Sequence, residues 1–195
     1  MVEYDRTTAL IVTDVQNDFA DPNGSLYVKG GEDTIAFIND EIARAEAGGA
    51  LVVYTQDWHP ATTAHFEKDG GIWPVHCVKE SWGASFHPKL QVIDSHVIQK
   101  GSGGEDGYSA FTVRDPRSGH QTHTQLGELL HESGIQRVVV VGLATDYCVK
   151  STALDAIARE FEVIVLREGV RAVDLQPGDG DRALEAMAAA GGRIE

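Results

Sequence analysis

The chain has 195 residues, of which 42% are hydrophobic and 24% are charged, and it carries a formal net charge of −14. That length is enough to bury one substantial core, and we interpret residues 1–195 as a single domain. The acidic balance excludes non-specific binding to nucleic acids and docking on anionic membranes, because both need clustered Lys and Arg side chains.

The sequence also predicts where the protein resides. No apolar run is long enough for a membrane-spanning helix, and acidic residues stand near the N-terminus where a signal peptide carries positive charge. We therefore expect a cytoplasmic protein with neither a membrane nor a nucleic-acid partner. The two cysteines, Cys77 and Cys148, lie far apart in the sequence and are expected to be thiols.

Short apolar runs rich in Val and Ile alternate with helical patterns along the chain. The runs predict strands at residues 8–14, 50–57, 95–100, 137–142 and 162–168, each of the kind that is buried on both faces of a parallel sheet. The helical patterns cover residues 33–49, 123–134, 146–160 and 177–192. This alternation predicts an α/β fold, a three-layer sandwich in which helices flank a mostly parallel sheet.

Residues 59–90 interrupt the alternation. This segment is rich in Gly, Pro, Trp and His. A loop of this length inside a compact domain is usually functional or disordered. The tryptophans and histidines argue against disorder, so we expect the segment to serve a site.

Reactive side chains stand at the ends of predicted strands. Asp14, Asp57 and Lys100 end three of them, and Cys148 follows a fourth at the start of a predicted helix. Ligands of open parallel sheets bind outside the carboxyl ends of the strands, so these groups are expected at one edge. A helix N-terminus and a nearby lysine favour the thiolate of Cys148, and Asp14 is the candidate proton acceptor.

Structural explanations stay open for each of these groups. A helical cysteine such as Cys148 is often a small buried hydrophobe. Cys77, beside His76, is interpreted as packing, with a soft metal ligand as the alternative. An acid such as Asp14 can cap the following turn, and Lys100 can be a solvated side chain at the mouth of a loop.

A second pattern predicts a metal site. The stretch "QDWHPATTAHF" contains Asp57, His59 and His65, and "WPVHCV" adds His76. One carboxylate with up to three imidazoles is a donor set that suits one divalent transition metal ion, Zn²⁺, Fe²⁺ or Mn²⁺. The alternative is a set of surface histidines on a loop. The remaining histidines show no comparable pattern and are interpreted as structural or solvated: His87, His96, His120, His123 and His131.

Several motifs, in order over residues 8–173, carry a resemblance to a known family. "TALIVTDVQNDF", "DWHP" followed by "HF", "WPVHCV", "KGSGGEDGYSAF" and "GLATDYCVKSTALDA" resemble the nicotinamidases of the isochorismatase-like cysteine hydrolase superfamily. The resemblance implies a six-stranded sheet and a catalytic triad of Asp14, Lys100 and Cys148. It further implies metal ligation by Asp57, His59 and His76, with His65 as an additional ligand in some members.

The same resemblance extends to the substrate pocket. It implies a cis peptide bond between Leu143 and Ala144, with the N–H groups of Ala144 and Cys148 as the oxyanion hole. Aromatic residues that line the pocket in the family match Phe19, Trp73 and Tyr108, and Leu26 is a weaker match. Tyr147, which precedes the nucleophile, occupies a position that varies between members. Core packing is the alternative for each pocket residue.

The resemblance implies a metal-dependent amidohydrolase that converts nicotinamide to nicotinic acid and ammonia through a thioester. The partner is then a small-molecule amide, and a homo-oligomer is possible. Another small amide, such as an N-carbamoyl compound or a pyrazinamide-like amide, is the alternative substrate. Isochorismatase activity fits less well, because it uses no such metal set. The alternative from a different functional class is a non-catalytic protein that binds a small ligand.

Overall fold

A six-stranded parallel sheet forms the middle layer of the structure, a computed structural model that describes residues 2–195. Its strands are β1 Thr8–Thr13, β2 Leu51–Asp57, β3 His96–Lys100, β6 Arg137–Leu143, β7 Glu162–Arg171 and β8 Arg193–Ile194. They lie in the order β3-β2-β1-β6-β7-β8, and every neighbouring pair is parallel. Two further strands, β4 Thr112–Arg114 and β5 Gln121–His123, form a separate antiparallel hairpin.

Helices cover both faces of this sheet. They are α1 Asn17–Ala20, α2 Ile35–Gly48, α3 Leu126–Glu132, α4 Lys150–Ala158 and α5 Asp179–Ala189. Leu10 and Val12 of β1 belong to the same buried cluster as α2, whereas Ala9 and Ile11 belong to the cluster of α3, α4 and α5. This alternation along β1 confirms the predicted three-layer α/β fold. Within residues 2–195, no helix is long and apolar enough to cross a membrane.

The structure differs from the sequence prediction mainly at element ends. The predicted helix 146–160 begins with a π-helical turn, Thr145–Val149, before the regular α-helix α4. The predicted helix 33–49 likewise begins with a 3₁₀ turn, Glu32–Thr34. Strands β4, β5 and β8 have only two or three residues each, too few for a recognisable periodicity.

The carboxyl ends of β3, β2, β1 and β6 lie side by side. Asp57 at the end of β2 pairs in register with Lys100 at the end of β3, and Thr13 pairs with Gly142. Gly142 has φ +110°, and a Cβ there would lie 2.0 Å from the Thr13 carbonyl oxygen, so this close approach requires glycine. The chain order reverses between β1 and β6, which is where open α/β sheets form their ligand crevice.

Candidate active site

The three predicted catalytic side chains meet at this crevice and are named the triad below: Asp14, Lys100 and Cys148. The Lys100 ammonium Nζ lies 2.7 Å from Oδ2 of Asp14 and 3.4 Å from Sγ of Cys148. Asp14 and Lys100 are fully buried, and Cys148 is 5% exposed. Their roles remain predictions, but the sheet brings together an acid, an amine and a thiol that are separated by up to 134 positions in the sequence, the interval from 14 to 148.

Asp14 is held on its other side by Thr55 of β2. The Thr55 hydroxyl donates a hydrogen bond to Oδ1 of Asp14 at 2.5 Å, and it accepts one from the Asp14 backbone N–H at 3.2 Å. Asp14 has φ +49°, in the left-handed region. One carboxylate oxygen therefore contacts Thr55 while the other faces Lys100.

The charges of this buried group depend on one another. Burial raises the pKa of the Asp14 carboxyl, although the Lys100 ammonium opposes that effect. Burial alone would lower the pKa of Lys100, but the carboxylates of Asp14 and Asp57 outweigh it and raise that pKa well above its ordinary value. Lys100 therefore stays protonated, and Asp14 is a stronger proton acceptor than an ordinary aspartate.

The surroundings of Cys148 oppose the thiolate that the sequence pattern favours. Cys148 lies in the π-helical turn, and burial raises the pKa of its thiol well above the ordinary value, with Lys100 acting in the opposite direction. Lys100 does not compensate for the loss of hydration. The resting thiol is therefore protonated and needs an acceptor, and its Sγ lies within 4.8 Å of a carboxylate oxygen of Asp14.

A second group of side chains adjoins the triad and is named the imidazole cluster below: His59, His65 and His76. All three side chains are buried, and their nearest nitrogens lie within 4.8 Å of one another. Oδ2 of Asp57 lies 3.8 Å from Nε2 of His59 and 3.9 Å from Nε2 of His76. The four predicted metal ligands therefore occupy one place in the structure.

Asp57 connects the two groups. Its Oδ1 lies 2.8 Å from Nζ of Lys100, an ion pair without the alignment of a hydrogen bond, while Oδ2 faces the imidazole cluster. Burial acts to raise the pKa of Asp57, but Lys100 and then His59 outweigh it and lower that pKa well below its ordinary value. The carboxylate is therefore charged, as a metal ligand must be.

The loop that carries the imidazole cluster is fixed by backbone pairing. The His59 N–H donates to the Cys77 carbonyl at 3.0 Å, and the Lys79 N–H donates to the His59 carbonyl at 2.8 Å. This strand-like contact places His76 beside His59. Phe66 and Trp73 form a similar bridge that closes the turn after His65.

Two histidines have partners that the sequence prediction missed. Nδ1 of His65 lies 2.7 Å from Oδ1 of Asp106, and Nδ1 of His76 lies 2.7 Å from the Pro74 carbonyl. A hydrogen bond with His65, opposed by burial, lowers the pKa of Asp106 to about 2. Such contacts orient a metal-binding histidine and leave its Nε2 for the ion.

The donor groups fit a divalent transition metal. Both ring nitrogens of His59 are buried without a hydrogen-bond partner among residues 2–195, which is costly for a polar group. Gly101 covers the ring so closely that a Cβ there would lie 2.6 Å from Nδ1 of His59. Three imidazole nitrogens with one carboxylate oxygen form a set typical of zinc, iron or manganese.

A pocket opens above the triad and beside the imidazole cluster. Its empty space, with the open solvent at its mouth included, is about 360 Å³. All four predicted pocket residues line it: Phe19, Leu26, Trp73 and Tyr108. Tyr147 lines it too and packs edge-on against Trp73, with ring centroids 4.9 Å apart. The pocket therefore suits a small flat molecule.

The expected cis peptide bond is present between Leu143 and Ala144. Ala144 and Cys148 line the same pocket. The Ala144 carbonyl accepts hydrogen bonds from the N–H groups of Tyr147 and Val149, each at 3.1 Å. The turn that presents Cys148 is thus anchored to the residue proposed for the oxyanion hole.

The remaining cysteine and histidines lie outside the site. Cys77 is fully buried, and its thiol contacts the Gly83 carbonyl at 3.9 Å, consistent with packing. His87 is buried, with Nε2 3.8 Å from an Asp21 carboxylate oxygen. The other histidines are exposed: His96, His120, His123 and His131.

Comparisons with known proteins agree with this geometry. The family model described as the isochorismatase domain matches residues 8–195. The nicotinamidase of Escherichia coli strain K12 is 37% identical over 203 aligned residues, which cover 95% of this chain and 93% of that protein.

Solved structures of similar proteins share the fold over nearly the whole chain. The pyrazinamidase of Pyrococcus horikoshii in complex with zinc has a TM-score of 0.86 at 39% identity, covering 97% of this chain and 98% of the other. The protein PnC1 from L. infantum in complex with nicotinate has a TM-score of 0.90 at 37% identity, covering 100% and 95%. The chain therefore belongs to the isochorismatase family, as an amidohydrolase of its nicotinamidase-like branch.

Proposed function

We propose that this protein hydrolyses nicotinamide to nicotinic acid and ammonia through a thioester on Cys148. One observation carries the proposal: Cys148, backed by Lys100 and Asp14, lines a small aromatic pocket whose wall also holds Asp57, His65 and His76. The relatives that bear the name nicotinamidase and the similar structure solved with nicotinate support the choice of substrate.

Acylation begins with the thiol proton. Asp14, whose pKa burial raises, takes the proton from Cys148, while the Lys100 ammonium stabilises the thiolate at 3.4 Å. The sulfur attacks the amide carbon and forms a C–S bond, and the carbonyl oxygen becomes an oxyanion. The N–H groups of Ala144 and Cys148 are the proposed donors to that oxygen. Donors of this kind are worth roughly 10² to 10³ in rate.

The leaving group departs as ammonia. Asp14 returns its proton to the amide nitrogen, the C–N bond breaks, and the thioester remains. General acid–base help of this kind typically contributes about 10² to 10⁴ in rate.

Deacylation repeats the proton transfers with water. Asp14 removes a proton from water, the hydroxide attacks the thioester carbon, and the C–S bond breaks. The thiolate then takes the proton back from Asp14, and nicotinic acid leaves. Lys100 keeps its charge throughout, because the Asp57 carboxylate stays ionised beside it and Asp14 or the Cys148 thiolate supplies the second negative charge that raises its pKa.

The walls of the pocket orient the ring. Phe19, Trp73 and Tyr108 present apolar surface, and the Trp73 indole N–H donates to the Tyr108 hydroxyl at 3.0 Å, which fixes both rings. Asp57 and the imidazole cluster would hold one divalent transition metal. When bound, such an ion supplies a Lewis-acidic position for the pyridine nitrogen. Such contacts hold the bound substrate in the orientation that the reaction needs.

The test is ammonia release by the purified protein. We expect turnover of nicotinamide and of pyrazinamide, and little turnover of an N-carbamoyl amine, because the aromatic pocket favours a flat ring. Faster turnover of the N-carbamoyl amine would contradict the proposed substrate. Calorimetric binding of nicotinamide without any ammonia release would instead indicate a non-catalytic ligand-binding protein.

A further inference from the structure

Thr55 is a buried residue of β2 that lies outside the pocket and contacts the proposed proton acceptor. Its hydroxyl both accepts from the Asp14 N–H and donates to the Asp14 carboxylate. It is fully buried, and it does not line the pocket. Both of these hydrogen bonds are made with Asp14, so the hydroxyl acts on the triad through that residue.

These two hydrogen bonds determine where the Asp14 carboxylate points. The first supports the left-handed backbone of Asp14 at φ +49°, which directs the side chain into the crevice. The second fixes Oδ1 at 2.5 Å and leaves Oδ2 toward Lys100 at 2.7 Å. A carboxylate that transfers a proton several times in one cycle gains from a fixed direction.

Thr13 shows that burial of a threonine at this edge does not by itself create such a contact. It is the last residue of β1, directly before Asp14, and it is fully buried. Its hydroxyl has no hydrogen-bond partner among the described residues. Thr13 and Thr55 therefore form a matched pair that differs in contact with Asp14.

We infer that Thr55 is a positioning residue of the hydrolase, whose hydroxyl holds the Asp14 carboxylate with one oxygen directed at Lys100 and Cys148. The inference rests on the proposed catalytic role of Asp14. It does not depend on which amide is the substrate.

The direct test compares Thr55→Val, Thr55→Ser and Thr13→Val on whichever amide the wild-type enzyme turns over. Thr55→Val keeps the volume and removes the hydroxyl, so kcat should fall roughly ten- to a hundredfold, as expected for a hydrogen bond to a charged group. KM should stay within about twofold, because the residues that contact the substrate are unchanged. Thr55→Ser should restore most of kcat, and Thr13→Val should leave kcat unchanged.

A second readout needs no substrate. Iodoacetamide alkylation of Cys148, followed by mass spectrometry to separate it from Cys77, reports how readily the thiol loses its proton. We expect slower alkylation in Thr55→Val and normal alkylation in Thr55→Ser and Thr13→Val. A wild type that is alkylated but releases no ammonia would count against the proposed function and leave this inference standing.

Several outcomes would overturn the inference. Equal loss of kcat in Thr55→Val and Thr13→Val would show a general packing effect. Loss of bound metal from Thr55→Val in step with activity would assign the effect to Asp57. Should Thr55→Val not fold, Thr55→Ala takes its place, and failure of both beside a folded Thr55→Ser would show that the hydroxyl serves stability.

Discussion

The triad and the imidazole cluster adjoin one pocket but are built in different ways. Asp14 and Lys100 come from strand ends of the sheet, and Cys148 follows a third strand closely. Their relative positions follow from the register of a buried sheet. The imidazole cluster stands on an irregular segment between β2 and β3, and its rings depend on local partners such as Asp106. The proposed reacting groups thus lie on rigid elements, whereas the proposed metal donors lie on a loop that needs support.

Asp57 is the residue that belongs to both regions. It ends β2 and faces Lys100 on one side and the imidazole cluster on the other. Changes in the triad alone, in Asp57, and in the support of the loop should therefore give three different combinations of lost turnover and lost metal.

Removing the nucleophile should abolish the chemistry of the triad and leave the imidazole cluster able to bind metal. We expect Cys148→Ala to lower kcat at least about 10⁴-fold, because no other group can form the thioester. Metal content, measured by elemental analysis of the purified variant, should equal that of the wild type. Cys77→Ala, which removes the other buried thiol, is the control and should retain turnover. Near-normal activity of Cys148→Ala would contradict the nucleophile assignment.

Removing the shared residue should damage both regions. Asp57→Ala deletes a ligand and leaves the buried Lys100 ammonium with one carboxylate, and breaking a buried ion pair typically costs about 3–5 kcal/mol. We expect lost metal and a fall in kcat/KM of roughly 10² to 10³. Ammonia release and elemental analysis check both effects. A variant that keeps its metal and its activity would show that neither metal binding nor turnover depends on Asp57.

Weakening the support of the loop should affect the metal alone. Asp106→Asn replaces the charged partner of His65, and we expect metal affinity to fall roughly 10- to 100-fold, measured by competition with a chelator. Alkylation of Cys148 should be unchanged, since the triad is not touched. Arg114→Gln, which removes the 3.0 Å ion pair of Asp106 but not its contact with His65, is the matched control. Equal metal affinity in Asp106→Asn and wild type would show that Asp106 does not support metal binding.

The pH dependence should report the triad through Asp14. The carboxylate must be ionised to accept a proton, and burial raises its pKa above the ordinary value of 3.8. Activity should therefore be lost as pH falls through that raised value, and the acid limb of kcat/KM should lie above pH 3.8. Metal content is measured at each pH, so that loss of the ion is separated from protonation. A flat profile down to pH 4 with metal retained would contradict Asp14 as the base.

Much of the fold is predictable because its signals are local. Valine-rich runs and helical stripes have enough residues for a clear period, and strand ends in a parallel sheet share one edge. The amino-acid sequence alone therefore places Asp14, Lys100 and Cys148 together. It does not predict the π-helical turn at Cys148 or the dominance of burial over the Lys100 charge in setting the thiol pKa.

The supporting contacts are not predictable in this way. Asp106 lies 41 positions after His65, and Thr55 lies 41 positions after Asp14, so neither pair has a sequence spacing that signals contact. Asp106 lies in a glycine-rich loop whose path depends on pairing with Arg114 near the β4–β5 hairpin. Contacts of this kind follow from tertiary structure, and the buried character of β2 indicates only that Thr55 is inside the protein.

We propose that the triad and the imidazole cluster act together as one catalytic site. The most direct test is ammonia release from nicotinamide by enzyme stripped of metal with a chelator and then restored with zinc, iron or manganese. We expect turnover to disappear on stripping and to return with at least one of these ions. Equal turnover by the stripped and the restored enzyme would contradict this proposal.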